Sequence, residues 1–489
     1  MNMKNIISIA ILSIAIFNSC NKTKSIDEST EISSIENGLV AAIQIKGEIP
    51  EQYNILERMN YHMVPGVSIV VVKGGEIKWA KGYGVANAMD GRKVDTNTIF
   101  QAGSISKPLA ALASLKLVEE GKVDLDQDVN KYLINWKIPE NKFTNNDKVT
   151  LRKLLTHTAG ITVPSFPGYN QKDTLPTIEE VLNGKGNTPA VYVDTIPGSI
   201  WRYSGGAYMV MEKFVEDISG LPFEEYMAKN ILQPIGMTNS TYEQPLPSDK
   251  HSFASAAHDN KGETYDGLWY NYPEHAAAGL WTTPTDLAKY CLEIQKILSG
   301  NSSGILSKET LIKMLTKHNN DWGLGPSLKW DGDSLIFKHG GSNLGFRNEM
   351  ISFAYKGDAV IVMTNSNNGG RLIKEILLST SNYYNWGIIN PRMIEIIELT
   401  SEKLESLCGK YKYIEQISGI GDYIVEVKIE ESKLIIDDPN RNEKYHLIPV
   451  EDLKFLDIEK ELEILFQEDM ERKSFSFLWN NDFIFKKIE

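Results

Sequence analysis

The chain has 489 residues, 42% hydrophobic and 24% charged, a globular composition long enough for two or three domains and a large core. Its formal net charge of -13 excludes a general nucleic-acid role, because the basic footprint that phosphate requires is missing. Residues 401–489 hold 13 basic against 21 acidic side chains, so most of the acidic excess lies at the C-terminal end and marks a separate module.

The first residues, "MNMKNIISIAILSIAIFNSC", place Lys4 ahead of an apolar run from Ile6 to Phe17. That run is too short to span a bilayer as a helix and reads as an export signal over residues 1–20. With Cys20 at its end and the polar "NKTKSIDESTEISS" after it, the segment resembles a bacterial lipoprotein signal, although Phe17 and Asn18 depart from the usual residues before that cysteine. The resemblance implies lipid modification of Cys20, a tether over 21–50, and an exported protein of the cell envelope, anchored to the membrane and facing the periplasm or exterior. Cys291 and Cys408 are far apart and form neither a disulfide framework nor a zinc spacing.

From Gly66, "GVSIVVVKGGEIKWAKGYGVAN" contains two β-rich runs around Gly74 and Gly75, a hairpin signal. Next comes "FQAGSISKPLAALASLKLVEEGK", residues 100 to 122. Apolar residues at Leu109, Leu112, Leu115 and Val118 predict one amphipathic helix stopped by Gly121. Proline in a helix interior costs roughly 3 kcal/mol, so Pro108 starts the helix only a few residues earlier and leaves Ser104 at its mouth. Residues i and i+3 share a helix face, which brings the Lys107 amine within reach of the Ser104 hydroxyl. A capping serine and a surface lysine produce the same spacing. It also recurs at Ser19 and Lys22, beside the apparent cleavage point, so the tetrapeptide needs support from elsewhere.

Residues from about 104 to 300 are helical patterns and loops. "AYMVMEKFVEDISG" ends at Gly220, and "TTPTDLAKYCLEIQKILSG" begins with Thr283 as cap, Pro284 in the first position and Asp286 in the first turn. β-rich runs return in "LIFKHGGSNLGFRNEMISFAYKGDAVIVMTN". Strands at both ends with helices between them predict an α/β domain of the α+β kind over 51–395. It is an antiparallel sheet flanked by helices, with an inserted helical region and a cleft as the natural site. From Ser401 the texture changes to alternating strands with turns at Asp438-Pro439-Asn440 and Asn480-Asn481-Asp482, a small all-β barrel or sandwich over 401–489.

Two further stretches join Ser104 and Lys107: "PGSIWRYSGGAYMVMEKF", with Tyr203 on the loop before a helix, and "KHGGSNLGFRNEM". Their order and spacing resemble the serine β-lactamase-like family of class C β-lactamases, D-alanyl-D-alanine carboxypeptidases and esterases. "LLTHTAGI", "ILQPIGMTNSTY" and "AAAGLWTTPTDLA" look like the same family, so the resemblance covers about residues 60 to 390. It implies a β-lactamase-like fold and Ser104 as a nucleophile that forms an acyl-enzyme, with Lys107 and Tyr203 handling the protons. Either a lysine that has lost its proton or a tyrosinate beside an ammonium serves as the base, and the two form one coupled pair.

The third motif has two registers, Lys338-His339-Gly340 and His339-Gly340-Gly341, and a slip of one residue exchanges the sheet faces. The second is the reading adopted. By resemblance, His339 then faces the cleft, Gly340 and Gly341 allow substrate to approach, and the N–H groups of Ser104 and Ser342 form the oxyanion hole. His157 and His275 read as structural or rim residues, and the aromatic run from Leu268 to His275 either lines a substrate groove or, as aromatic residues more often do, packs. No metal and no cofactor are implied.

Gly205 stands where related lactamases commonly carry asparagine, and His339 where they commonly carry lysine. The expected partner is a small-molecule or peptide substrate. The reading is an exported serine hydrolase that cleaves an amide or ester, with D-amino-acid peptides or small esters as substrates. The alternatives are a β-lactamase and a slowly turning over penicillin-binding or sensing protein.

Overall fold

The computed structural model describes residues 28–301, 304–331, 334–415, 421–469 and 474–488. The expected export signal, Cys20 included, lies outside them. The chain divides into two compact units, one of Ile55–Ile373 and one that joins Glu31–Asn54 to Lys374–Glu489. The expected boundaries, a tether over 21–50 and a domain over 51–395, differ from this division. Residues 28–36 are helical, and Ile43–Ile45 pairs in parallel with Arg392–Ile394. Ile43, Ile394 and Leu456 share a small buried cluster. A strand belongs with the strand that satisfies its backbone, and no local pattern in 21–50 announces a partner so far along the chain.

The first unit is built on six strands: β1 (Gly66–Lys73), β2 (Glu76–Gly84), β3 (Ser327–Asp331), β4 (Ser334–Asn343), β5 (Phe346–Phe353) and β6 (Ala359–Thr364). They form one antiparallel sheet in the order β2-β1-β6-β5-β4-β3. The two ends of the unit therefore meet in the middle of the sheet, where Val67 lies opposite Thr364 and Val72 opposite Ala359. β1 and β6 are buried almost throughout, as their unbroken apolar runs require. Gly74 and Gly75 turn the β1–β2 hairpin at φ of 61° and 83°, a conformation that glycine adopts without strain.

Helices fill the region between β2 and β3. A 3₁₀ turn, Gly103–Ile105, leads into α1 (Ser106–Glu119), and Gly121 at φ 70° ends it while the N–H of Lys122 bonds to the carbonyl of Leu117 at 3.0 Å. The expectation of an amphipathic α1 is corrected. Leu109, Leu112 and Leu115 are buried, but so are Ala110, Ala111, Ala113 and Ser114 on the other faces. Small residues there let neighbours pack against every side, and a helix covered all round is a core helix. The stop at Gly220 and the cap at Thr283 follow the expectation, and Ser204 is a cap that the sequence reading does not name. Ser204 accepts from Ala207 N at 3.0 Å to start α2 (Gly205–Ser219), and Gly220 ends it at φ 70°. α3 (His275–Ala278) is a single turn, and Thr283 accepts from Asp286 N at 3.1 Å to start α4 (Pro284–Ser299).

The second unit contains a closed antiparallel barrel of eight strands: β7 (Gly409–Tyr413), β8 (Ile424–Glu430), β9 (Lys433–Asp438), β10 (Glu443–Glu451), β11 (Lys454–Asp457), β12 (Leu462–Asp469), β13 (Ser474–Trp479) and β14 (Phe483–Lys487). The pairing of Tyr411 with Lys487 closes it. Tyr411, Val425, Ile436, Phe466 and Phe477 fill its interior as a core of its own.

The burial of α1 predicts that Leu112→Ala, which empties a fully buried site, destabilises the protein by about 2–5 kcal/mol. The expected readout is a lower urea midpoint with an unchanged slope.

Candidate active site

Two glycines decide where Ser104 stands. A Cβ on Gly103, which sits at φ 55°, would lie 2.5 Å from the amide nitrogen of Ser342. A Cβ on Gly341 would lie 1.9 Å from the carbonyl oxygen of Ala102. Neither contact is sterically possible, so glycine alone lets the 3₁₀ turn close onto β4 and gathers the backbone of Ser104 and Ser342 at one place. Side-chain amides then hold the junction. Asn348 Nδ2 donates to Gln101 O at 2.9 Å, and Asn343 Nδ2 donates to Gln101 Oε1 at 3.0 Å and to Ala278 O at 3.1 Å.

Lys107 projects from the first turn of α1 with its Nζ 3.0 Å from Ser104 Oγ and 2.8 Å from Ala277 O. The residue is 2% exposed, and burial pushes its amine down to about 7. The amine also lies over the Tyr203 ring, 4.9 Å from its centre. Tyr203 hydrogen-bonds Ser104, yet burial raises its phenol well above the ordinary value and that bond offsets only part of the rise. Ser104, Lys107 and Tyr203 are thus brought together by the fold, and at neutral pH the amine is the group of the pair that gives up its proton more readily.

His157 backs Tyr203. Its ring centre is 4.3 Å from that of Tyr203, its Nδ1 accepts from Ser204 N at 3.1 Å, and its carbonyl accepts from Arg202 N at 2.9 Å. It is therefore a buried strut of the tyrosine loop and not a rim residue. Trp322, whose ring centre lies 5.9 Å from Tyr203 and 5.6 Å from His339, completes an aromatic wall that no sequence pattern indicates.

In the third motif, His339, Gly341 and Asn343 are buried on one face of β4, while Lys338, Gly340 and Ser342 alternate to the other. His339 sits with its ring centre 6.3 Å from that of Tyr203, the orientation of the second register. Its Nδ1 donates to Gly340 O at 2.6 Å, and burial pushes it down to about 3. It is a neutral imidazole. Gly340 and Gly341 each have a reason within the fold to be glycine. A Cβ on Gly340 would meet the Glu349 carboxylate at 2.9 Å on the far face, and Gly341 makes room for the backbone of Ala102.

Behind α3 lies a buried acidic cluster that no motif announces. Glu212 of α2, 1% exposed, accepts from Ala276 N at 2.7 Å and from His275 Nδ1 at 2.8 Å. It thereby grips the single turn whose Ala277 carbonyl anchors Lys107. Burial alone lowers the His275 imidazole, but the Glu212 carboxylate outweighs it and raises the ring above its ordinary value. Neighbouring Glu274 is pushed up to about 8 by burial and is a neutral acid at pH 7. The one signal in the sequence is Glu212 among the apolar residues Met209, Val210, Met211 and Val215 of α2, with Glu216 one turn further on. The aromatic run mostly packs, as expected: Trp269 is core, and Tyr272 accepts from Leu344 N at 2.9 Å.

Comparison with known proteins places these features in context. A family model described as Beta-lactamase matches residues 54–377. The chain is 30% identical over 231 residues to a Salmonella schwarzengrund (strain CVM19633) protein named as a D-alanyl-D-alanine carboxypeptidase, covering 44% of this chain and 52% of that one. It is 28% identical over 225 residues to Protein flp of Staphylococcus aureus (strain N315), covering 45% and 42%. The matches thus span about half the length of these curated relatives. Among solved structures, the octameric penicillin-binding protein homologue from Pyrococcus abyssi superposes with a TM-score of 0.59 at 25% identity, over 88% of this chain and 98% of that one. A D-amino acid amidase from Ochrobactrum anthropi SV3 shares the fold at 21% identity, with a TM-score of 0.54 over 68% and 97%.

The grip of Glu212 on α3 generates a prediction. Glu212→Ala frees Ala276 N and His275, lets the Ala277 carbonyl drift, and lowers kcat by about tenfold or more, equivalent to about 1.4 kcal/mol. Glu212→Gln keeps an acceptor for Ala276 N and loses less. Steady-state kinetics with a chromogenic acyl ester checks the order of the two variants.

Proposed function

We propose that this chain, which belongs to the β-lactamase family of serine hydrolases, cleaves small amides or esters through an acyl-Ser104 intermediate. The observation that carries the reading is the Lys107 amine, 3.0 Å from the Ser104 hydroxyl and held near neutrality by burial. Lys107 takes the hydroxyl proton as Ser104 Oγ bonds to the substrate carbonyl carbon. The carbonyl electron pair moves onto oxygen, which the N–H groups of Ser104 and Ser342 receive. When that pair returns, the bond to the amine or alcohol breaks, and Tyr203 supplies its proton and regains one from Lys107. Water then attacks the acyl carbon and loses its proton to the same pair, and Ser104 departs as the hydroxyl with the acid released.

The D-amino-acid class of substrate is suggested by the relative named as a carboxypeptidase, and an acyl or amine group with an apolar side fits the aromatic wall of Trp322 and Tyr203. Cell-envelope location through a lipid on Cys20 is part of the same proposal. It rests on the apolar run that precedes that cysteine.

The central test is acylation. Ser104→Ala forms no acyl adduct by mass spectrometry with an acyl ester, a D-alanyl peptide or a β-lactam, while its circular dichroism is unchanged. Because Lys107 works as the neutral amine with its value at about 7, kcat/KM rises with pH through that value and levels off above it. Lys107→Arg, which keeps its proton, removes the rise along with nearly all activity. A persistent adduct without turnover on every substrate would establish the binding or sensing alternative.

The second test concerns β-lactams. His339 is neutral and offers no fixed cation for their carboxylate. At Gly205 a Cβ would lie 2.9 Å from the Phe166 ring, so an aromatic edge occupies the place of an amide-bearing side chain. Penicillins are expected to acylate Ser104 but to be hydrolysed at least tenfold more slowly than the best ester or D-amino-acid amide. Gly205→Asn improves acylation only when combined with Phe166→Ala, which clears the space. Penicillin turnover above that of every ester and peptide would make the protein a β-lactamase.

A further inference from the structure

Among the described residues, the two ends of the second unit's barrel differ. At one end the helix Ser401–Leu407 packs over the strands. Leu407 is fully buried in the barrel core, and its carbonyl accepts from the Tyr411 hydroxyl at 2.8 Å. At the opposite end, where β7 finishes, β8 begins and β13 turns into β14, lies a cavity of about 230 Å³. Tyr413, Tyr423, Trp479, Phe483 and Phe485 form its wall. Their rings make one continuous surface. Tyr413 is 5.8 Å from Phe483 and 5.4 Å from Phe485, and Trp479 is 5.8 Å from Phe485, between ring centres.

Tyr423, Trp479 and Phe485 belong to the barrel core, Tyr413 packs against it, and Phe483 extends their surface to the rim. Phe483 is 48% exposed. The polar members of the lining are Asn480 and Arg441, and Arg441 is the single charged group among the described residues that line the cavity. The nearest carboxylate, Asp438, is fully buried and already committed. It accepts from the Tyr423 hydroxyl and from Asn440 N at 3.0 Å, and Arg441 Nε stands 3.9 Å from it, at the outer limit of an ion pair. The Tyr423 and Tyr445 hydroxyls also bond to the guanidinium, and the Glu443 carboxylate lies near it. Arg441 thus presents a half-exposed planar cation, suited to bidentate recognition of a carboxylate, at the edge of an aromatic pocket.

We propose that the barrel mouth is a second ligand site, separate from Ser104, that takes a small aromatic or apolar carboxylate, with its body against Trp479, Phe485 and Tyr413 and its carboxylate on Arg441. The site is independent of the hydrolytic reading, because none of its residues takes part in acylation.

The test uses the full chain carrying Ser104→Ala, so that turnover does not interfere, and isothermal titration with 2-naphthoate and with its neutral analogue 2-naphthylmethanol. One saturable site for 2-naphthoate is expected. Arg441→Gln weakens it by fivefold or more and leaves 2-naphthylmethanol within twofold. Phe483→Ser weakens both ligands. Both substitutions, made in the chain with Ser104 intact, leave ester hydrolysis and circular dichroism unchanged, which separates loss of the site from loss of the fold. The proposal is overturned by the absence of saturable binding, by affinity that survives both substitutions, or by 2-naphthoate binding that disappears when a β-lactam acylates Ser104 in the unmodified chain.

Discussion

A lysine amine held among neutral oxygens is the constraint on which the reactive part of the molecule depends. Among the described residues Lys107 bonds to Ser104 Oγ and Ala277 O and to no carboxylate. An ammonium in such surroundings loses hydration worth several kcal/mol and gains no countercharge, so the neutral amine is favoured. A neutral amine beside two acceptors can give one N–H to the carbonyl and direct its lone pair at the hydroxyl. What makes the site dry is the burial of α1 on every face, and that burial in turn depends on Ala110, Ala111 and Ala113, where larger residues would hold neighbouring elements away.

The second constraint is steric. Gly103 and Gly341 permit an approach of turn to strand that any side chain would block. The backbones of Ser104 and Ser342 consequently meet from two segments far apart in the chain, held in register by the sheet and by the amides of Asn343 and Asn348. Around this junction each element has a distinct task. α2 supplies Glu212 to hold α3, α3 supplies the carbonyl that orients Lys107, and His157 supports Tyr203 from behind. Preorganisation of this kind places donors before substrate arrives, and their alignment need not be achieved during the reaction.

The barrel obeys a different logic. Closure removes edge strands, so its stability rests on interior aromatics such as Phe466 and Phe477 and not on association with another sheet. The acidic excess of residues 401–489 is distributed over its exterior, where Lys444 pairs with Glu430 and Lys460 with Glu443. Such exposed pairs contribute little to stability and chiefly maintain solubility. The segment that runs from Glu31 to Asn54 adds a short strand to this unit through Arg392–Ile394.

Features encoded over a few residues are legible in the sequence alone. The Gly74-Gly75 hairpin, the helix ends at Gly220 and Thr283, the stop at Gly121 and the pairing of Ser104 with Lys107 all follow from spacing, because neighbouring φ and ψ angles and the i, i+3 geometry of a helix are local properties. The strand order of the sheet and the choice of barrel over sandwich are legible only as a class, since alternation marks a strand without naming its partner. The burial that neutralises Lys107, the far-face position of Gly340, the hold of Glu212 on α3, the support of Tyr203 by His157 and the membership of residues 31–54 in the second unit are decided by tertiary structure alone. Desolvation and long-range contact depend on what the rest of the chain brings alongside a residue, and that information is not present in the residue's own neighbourhood.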